Sequence, residues 1–441
     1  MAQALGNQGK YGEAEVMHRE VLALREIVLG KEHPSTLTSM HEVAYNLRNQ
    51  GKYGKAEEMH REVLALRKKM LGKEHPSTLT SMSNMAQTLG NQGKYGEAEE
   101  MHREVLALRE KVLGKEHPST LTSMHEVAYN LRNQGKYGKA EEMHREVLAL
   151  RKKMLGKEHP STLVSMSSVA QALGSQGKYG EAEEMHQEEL ALLEKVLGKE
   201  HPFTLTSMFS VAQALGSQGK YGEAEEMHRE VLALSEKVLG KEHPDTLTSM
   251  SSVAQALGSQ GKYGEAEEMH QEELALSEKV LGKEHPDTLT SMFSVAQVLG
   301  SQGKYGEAEE MHREVLALRE MVLGERHPST LISVHNLAYL LHKQGRYEEA
   351  SELYQRACGS LEQALGSQHP TTTACLNSFS AMQEARQAKL EQSQEPVHND
   401  RTPFGDVVHP KPRSGSASSR QGIKKSSIVM RLKGKFRRKA S

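Results

Sequence analysis

The sequence has very few of the residues from which a large globular core is built. Among its 441 residues there is no tryptophan, there are 6 phenylalanines, and aromatic residues make up 4% of the chain. A large core based on Trp and Phe is therefore not expected. The two cysteines, Cys358 and Cys375, both lie near the end of the chain. They offer no disulfide framework, which fits a reducing compartment.

Long apolar segments are also missing. The sequence contains no run of about 18 apolar residues and no apolar leader after Met1, so we expect neither a membrane span nor a secretory signal, and we predict a cytoplasmic location. The net charge of -2 conceals an asymmetry, because residues 401–441 hold 12 Lys and Arg against one acid, Asp406. We therefore expect a mildly acidic main part followed by a strongly basic tail.

What the sequence does contain is a unit of 42 residues that repeats without insertions. A Gly-Lys-Tyr or Gly-Arg-Tyr turn occurs nine times between Gly9 and Gly345. A His-Pro pair recurs in step with it, at His33, His75, His117, His159, His201, His243, His285, His327 and His369. A fixed period of this length is typical of a stacked array, in which neighbouring units complete each other's core.

Each unit predicts two helices. In the first, helix A, apolar residues recur at three- and four-residue steps between Thr36 and Asn49, and Gly51 interrupts the pattern. The second, helix B, spans about 19 residues from Tyr53 to Leu71. The loop that follows contains His75-Pro76, and proline fits the first turn of the next helix A. The loop is therefore predicted to start that helix.

These residues resemble a known family. Ala44, Gly51, Tyr53 and Ala56 stand at the spacing of the small and aromatic positions of the tetratricopeptide repeat. The eight extra residues, ending in LGKEHP, resemble the 42-residue variant of kinesin light chains and of the repeat arms of fungal NB-ARC receptors. Over about residues 1–390 the resemblance implies an all-α fold, a right-handed superhelical solenoid of about nine helix-turn-helix repeats.

The units are not all alike, and the chain divides into three parts. Glu189 and Glu273 fill a helix B slot that other units give to Val or Ala, which predicts looser packing there. We expect the array over residues 1–370, with its first helix truncated. Either the start of the array is frayed or the chain is the back part of a longer one, and we favour the second. A capping helix is predicted over residues 371–393. Residues 394–441 form a basic tail with too few apolar groups to fold, and we predict it to be disordered.

The histidines form two ladders, one in the loops and one on helix B, such as His60 and His102. A zinc site needs several ligands converging on one ion, and histidines of one ladder are a whole repeat apart. We therefore expect no metal, and we expect no cofactor and no catalytic site. The helix B histidines are predicted to pack in place of an aromatic residue, as Tyr354 indicates, and the loop histidines to satisfy helix ends.

The best candidate site is a binding groove. By the resemblance, the face of helix A opposite its apolar stripe lines a concave surface that holds an extended peptide or a partner helix. Polar side chains there suit backbone hydrogen bonding, and Tyr45, Tyr129, Phe209 and Phe293 are expected to form pockets. The groove residues are Thr38, His41, Tyr45, Arg48, Thr80, Gln87, His125, Tyr129, Arg132, Gln171, Phe209, Gln213, Gln255, Phe293, Gln297, His335 and Tyr339.

The tail offers a second contact. Ile428, Leu432 and Phe436 are four residues apart, which permits a short basic amphipathic helix for an acidic partner or membrane surface. A merely solubilising tail is the alternative. Its basic residues are Lys424, Lys425, Arg431, Lys433, Lys435, Arg437, Arg438 and Lys439. Nucleic acid and small-molecule substrates are not expected.

Taken from the sequence, the function is that of a non-enzymatic scaffold for protein or peptide partners. One alternative is a cargo or motor adaptor like kinesin light chain, although no heptad coiled coil precedes the repeats in this sequence. Another is the sensor arm of a fungal NB-ARC-type receptor, whose ATPase domain would lie outside these residues.

Overall fold

The fold is a succession of antiparallel helix pairs. The computed structural model describes residues 2–7 and 10–394, in which there are nineteen α-helices and no strand. The A helices are α3 (Pro34–Asn49), α5 (Pro76–Asn91), α7 (Pro118–Asn133), α9 (Pro160–Ser175), α11 (Pro202–Ser217), α13 (Pro244–Ser259), α15 (Pro286–Gln302) and α17 (Pro328–Lys343), with the shorter α1 (Ala2–Asn7) before them.

The B helices alternate with them and are all 19 residues long. They are α2 (Tyr11–Leu29), α4 (Tyr53–Leu71), α6 (Tyr95–Leu113), α8 (Tyr137–Leu155), α10 (Tyr179–Leu197), α12 (Tyr221–Leu239), α14 (Tyr263–Leu281), α16 (Tyr305–Leu323) and α18 (Tyr347–Leu365). The predicted alternation of two helices per unit is confirmed. Each A helix begins earlier than predicted, at the Pro of the His-Pro pair.

The histidine of each His-Pro pair explains this early start. The side chain of His33 accepts a hydrogen bond from the backbone N–H of Ser35 at Nδ1, with a distance of 3.1 Å. A helix begins with backbone N–H groups that lack a partner in the helix, and this imidazole supplies one. The same bond occurs at the other His-Pro pairs, including His369, which accepts from Thr371. The prediction that the loop histidines satisfy helix ends is confirmed.

The hydrophobic clusters of the core extend across the boundaries between repeats. One cluster joins Leu22 of α2 to Leu37 and Val43 of α3 and to Ala56 and Val63 of α4. Each A helix is thus enclosed between its own B helix and the B helix of the preceding repeat. No repeat buries its apolar face alone, which is the physical reason why such units occur in arrays.

Polar contacts between neighbouring repeats recur with the same period. The Gln50 side chain, in the turn between α3 and α4, donates to Glu15 of α2 at 2.8 Å. Arg67 of α4 donates to the Ser81 hydroxyl of α5 at 2.8 Å. The arginine contact is absent from the repeats in which Leu193, Ser235 or Ser277 takes the place of Arg67.

The last helix, α19 (Pro370–Gln394), starts with the same cap as the A helices. Its Cys375 and Met382 are fully buried in a cluster with Tyr354 and Leu361 of α18. Both cysteines are buried and unbridged. Within the described residues, no helix combines the length and apolar character that a membrane span requires.

Candidate partner-binding surface

Three positions of the A helices face away from the core. Thr38, Tyr45 and Arg48 of α3 illustrate them, and glycine takes the place of Arg48 in α5, α9, α11, α13 and α15. Thr38 is exposed, and Tyr45 and Arg48 are half-buried. The equivalent side chains in the later A helices are also exposed or half-buried, at Thr80, Gln87, Tyr129, Arg132, Gln171, Gln213, Gln255, Gln297 and Tyr339. These positions are called the open face below.

The position represented by His41 differs from the sequence-based expectation. His125, Phe209, Phe293 and His335 stand there in other A helices and are 8%, 4%, 1% and 1% exposed. Their rings pack against the ring of the paired B helix, as Phe209 does on His228 with centroids 5.0 Å apart. These four side chains support the open face from beneath, and Phe209 and Phe293 do not provide side-chain pockets on it.

Two places on the open face carry aromatic and charged side chains in the same arrangement. The Arg48 guanidinium lies over the Tyr45 ring at 5.1 Å and donates to Gln87 of the next A helix at 2.6 Å. Arg132 lies over Tyr129 at 5.1 Å and donates to Gln171 at 2.6 Å. Neighbouring A helices are thus connected through these side chains. No sequence pattern indicates this Arg–Gln link, because its partners are 39 residues apart.

The A helices in the middle of the array carry almost no charge. From α9 to α15 the A helices contain no Lys, Arg or Glu, and their acids are Asp245 and Asp287 in the first turn of α13 and α15. Gln213, Gln255 and Gln297 occupy the Tyr45 position there, one repeat apart. Their side-chain amides have no hydrogen-bond partner in the described part of the chain. An extended peptide backbone presents the donors and acceptors that such amides lack.

The buried histidines of the B helices do not form a site. His60, His102, His144, His228 and His312 are each 5% exposed or less. Tyr354 takes the same place in α18, fully buried, so the prediction that these histidines pack like an aromatic residue is confirmed. Among the described residues no group of three or more His, Cys, Asp or Glu side chains is arranged to hold a metal ion.

The basic tail, from Lys424 to Lys439, lies outside the described residues. Its contact with an acidic partner or a membrane surface stays a prediction.

The repeats match a family model along nearly the whole described chain. Nine overlapping segments match the tetratricopeptide repeat, at residues 1–69, 41–111, 77–153, 119–195, 161–237, 211–279, 253–321, 302–363 and 329–396. The chain belongs to the tetratricopeptide repeat family. The comparison with curated proteins gave no match.

Solved structures with similar repeats include one from Podospora anserina, described as a putative kinesin light chain with nearly identical TPR-like repeats. It is 36% identical, matches 46% of this chain and 97% of its own, and gives a TM-score of 0.40. BtubC from P. vanneervenii is 18% identical over 54% of this chain and 93% of its own, with a TM-score of 0.40. A Rap protein complexed with competence and sporulation factor is 12% identical over 80% and 99%, with a TM-score of 0.47.

Proposed function

We propose that this tetratricopeptide repeat chain is a non-enzymatic scaffold that binds an extended peptide segment of a protein partner along the open face of its A helices. The observation that carries the proposal is the row of Gln213, Gln255 and Gln297, whose amides have no hydrogen-bond partner within the described residues. Each amide offers both a donor and an acceptor, which matches the N–H and C=O groups of a peptide backbone. The role is common to an adaptor and to a sensor arm.

The low charge of the open face in the middle of the array favours a peptide that is uncharged or carries charges of both signs there. Between α9 and α15 the open face has no Lys, Arg or Glu that would select for a charged segment. Arg48 and Arg132 lie on α3 and α7, before this stretch. We therefore expect the glutamine row to bind the peptide backbone and the arginine positions to add selectivity for an acidic flank.

The test begins with peptides selected from a random displayed library on the purified chain. Their affinity is then compared between wild type and the triple variant Gln213→Ala, Gln255→Ala, Gln297→Ala. A hydrogen bond contributes about 0.5–1.5 kcal/mol, so three lost bonds, one for each glutamine, predict binding weaker by roughly ten- to two-thousand-fold.

The control variant removes glutamines from two B helices, which do not contribute to the open face. Gln187 and Gln271 are exposed on the B helices α10 and α14 and donate to Glu183 and Glu267 of their own helix. Gln187→Ala with Gln271→Ala should leave peptide affinity within about twofold of wild type. Equal losses in both variants, or unchanged affinity in the triple variant, would count against the proposed surface.

A further inference from the structure

Residues 236 positions apart in the chain are in direct contact. His285, in the loop before α15, makes a hydrogen bond of 2.9 Å through Nε2 to the backbone oxygen of Asn49, at the end of α3. His327 makes the same bond to Asn91, with a distance of 3.1 Å and the same separation along the chain. His369 makes a hydrogen bond to the backbone of Asn133. The solenoid therefore returns to itself at three successive repeats.

Close packing accompanies these hydrogen bonds. Gly51 lies so near the Pro286 ring that a Cβ atom would overlap it, and Gly93 has the same relation to Pro328. At Gly135 a Cβ atom would stand 3.0 Å from the His369 ring. The corresponding turn glycines further along, Gly177, Gly219, Gly261 and Gly303, have no neighbouring atom within 4 Å of that point.

Burial of the histidines sets two of these loops apart. His285 and His327 are both 4% exposed, whereas the other loop histidines cap their helices in the same way and are half-buried (His201, His243 and His369) or exposed (His33, His75, His117 and His159). Capping alone therefore does not bury the imidazole, and the two most buried rings are those that contact the earlier loop through Nε2. In each buried case Nδ1 accepts the capping bond from a backbone N–H and Nε2 is left to reach the earlier loop.

We propose that these three loop pairs form an interaction surface of the solenoid for itself, a seam that fastens one superhelical turn to the next and couples the opening of repeats 236 residues apart. The seam consists of Asn49–Gly51 with His285–Pro286, 91–93 with 327–328, and 133–135 with 369–370. Stacked repeats ordinarily contact only their neighbours, so that their stability is a sum of local terms. The seam adds interaction energies between distant repeats, which a sum over neighbouring repeats does not include.

The seam also restricts entry to the A helices. With the turns fastened, a partner reaches the inner side of the fastened repeats from an end of the solenoid, and lateral entry requires the seam to open. The seam is formed by loops and involves neither the open face nor the glutamine row.

The test compares two triple variants with the same backbone strain. Gly51, Gly93, Gly135, Gly177, Gly219 and Gly261 all have φ between 76° and 86°, so alanine strains the turn similarly in both sets. The seam variant is Gly51→Ala, Gly93→Ala, Gly135→Ala. The control is Gly177→Ala, Gly219→Ala, Gly261→Ala. Amide hydrogen exchange is followed in the first turns of α15 and α17, which neither variant changes.

In the seam variant we expect exchange in those first turns to become at least tenfold faster and the radius of gyration in small-angle scattering to increase. In the control both should remain as in wild type. Equal exchange in the two variants would overturn the proposal, and so would a seam variant that exchanges like wild type.

A second pair of variants tests the seam if the glycine variants do not fold. Asparagine keeps the N-cap but is too short to replace the imidazole at the seam. The double variant His285→Asn, His327→Asn should loosen α3 and α5, which is measured as faster amide exchange in their last turns. The control double variant His117→Asn, His159→Asn should leave amide exchange in the last turns of α3 and α5 unchanged. No difference between the two pairs would also overturn the seam.

Discussion

The imidazole rings of His41 and His60 lie against each other, with their centroids 5.4 Å apart. Burial, helped by nearby positive charge, lowers the pKa of His41 to about 4 and that of His60 to about 3. Burial likewise lowers the pKa of His102, His228, His270, His312 and His335 to about 4. The array thus encloses a row of imidazoles that must stay neutral.

The first prediction is acid sensitivity. An unfolded histidine titrates near pH 6.5, so below that pH the unfolded chain binds protons that the folded chain does not. Stability is therefore greatest above about pH 6.5 and falls as the pH drops toward 4. Each such histidine should cost about 2 kcal/mol between pH 7 and pH 5. Urea midpoints measured at both values should show a large fall.

A single substitution isolates this effect. His228→Tyr, which repeats the natural choice of Tyr354, removes one buried imidazole, so its stability should fall by about 2 kcal/mol less than wild type between pH 7 and pH 5. Val238→Ala, at an exposed position of the same helix, removes no titrating group, so its stability should fall as that of wild type does. A wild-type midpoint that is the same at both pH values would contradict the explanation.

The second prediction concerns Glu273, which is 3% exposed. Its Oε1 accepts hydrogen bonds from Ser277 and Ser291, both at 2.7 Å, and burial raises its pKa to about 7. A raised pKa means that its contribution is fully present at low pH and is lost as the pH rises through 7. Glu273→Gln keeps the shape of the side chain and stays neutral at every pH. Relative to wild type, the free energy of unfolding of this variant should therefore be higher at pH 8 than at pH 5 by about 2–3 kcal/mol.

Urea unfolding at pH 5 and pH 8 checks this change. Glu268→Gln, at an exposed position of the same helix, is the control and should show no pH-dependent gain. If both variants behave alike, the buried carboxyl is not the origin of the pH dependence.

The third prediction tests the histidine caps. His117 accepts from the Ser119 N–H at 3.1 Å, and its ring is otherwise exposed, so capping is the main contact at stake. His117→Ala should lower the free energy of unfolding by about 0.5–2 kcal/mol, and His117→Asn, which keeps a capping oxygen, by much less. Denaturant midpoints distinguish the two. An alanine variant as stable as the asparagine variant would show that the cap contributes nothing.

Much of the local structure was predictable because each unit carries its own signals. His33-Pro34 starts an A helix, the stripe from Leu37 to Leu47 gives its buried face, and Gly51 ends it. Nine copies of these signals in register predict the solenoid, and the helix pairs confirm it.

The open face was harder to predict, because exposure depends on the angle at which two helices pack. From spacing alone, His41 and Tyr45 belong to the same side of the helix. In the structure the His41 position turns toward the B helix, so Phe209 and Phe293 are buried, whereas Tyr45 remains half-buried. The ring on every B helix at the His60 position was the available signal, since it provides a partner for a ring at the His41 position.

The seam had no local signal at all. The contact of His285 with Asn49 depends on a small rotation between repeats that accumulates over more than five of them. A slight change in that rotation would separate the loops, and no single residue encodes it.

The arrangement of Tyr45, Arg48 and Gln87 occurs again, with the same distances, as Tyr129, Arg132 and Gln171. A partner motif that binds the first arrangement therefore has an equivalent binding site two repeats further along the chain. A partner with one motif gains a statistical factor of two, and can transfer between the copies. A partner with two motifs at the matching separation binds the second intramolecularly, so that its residence time grows through avidity without any new contact.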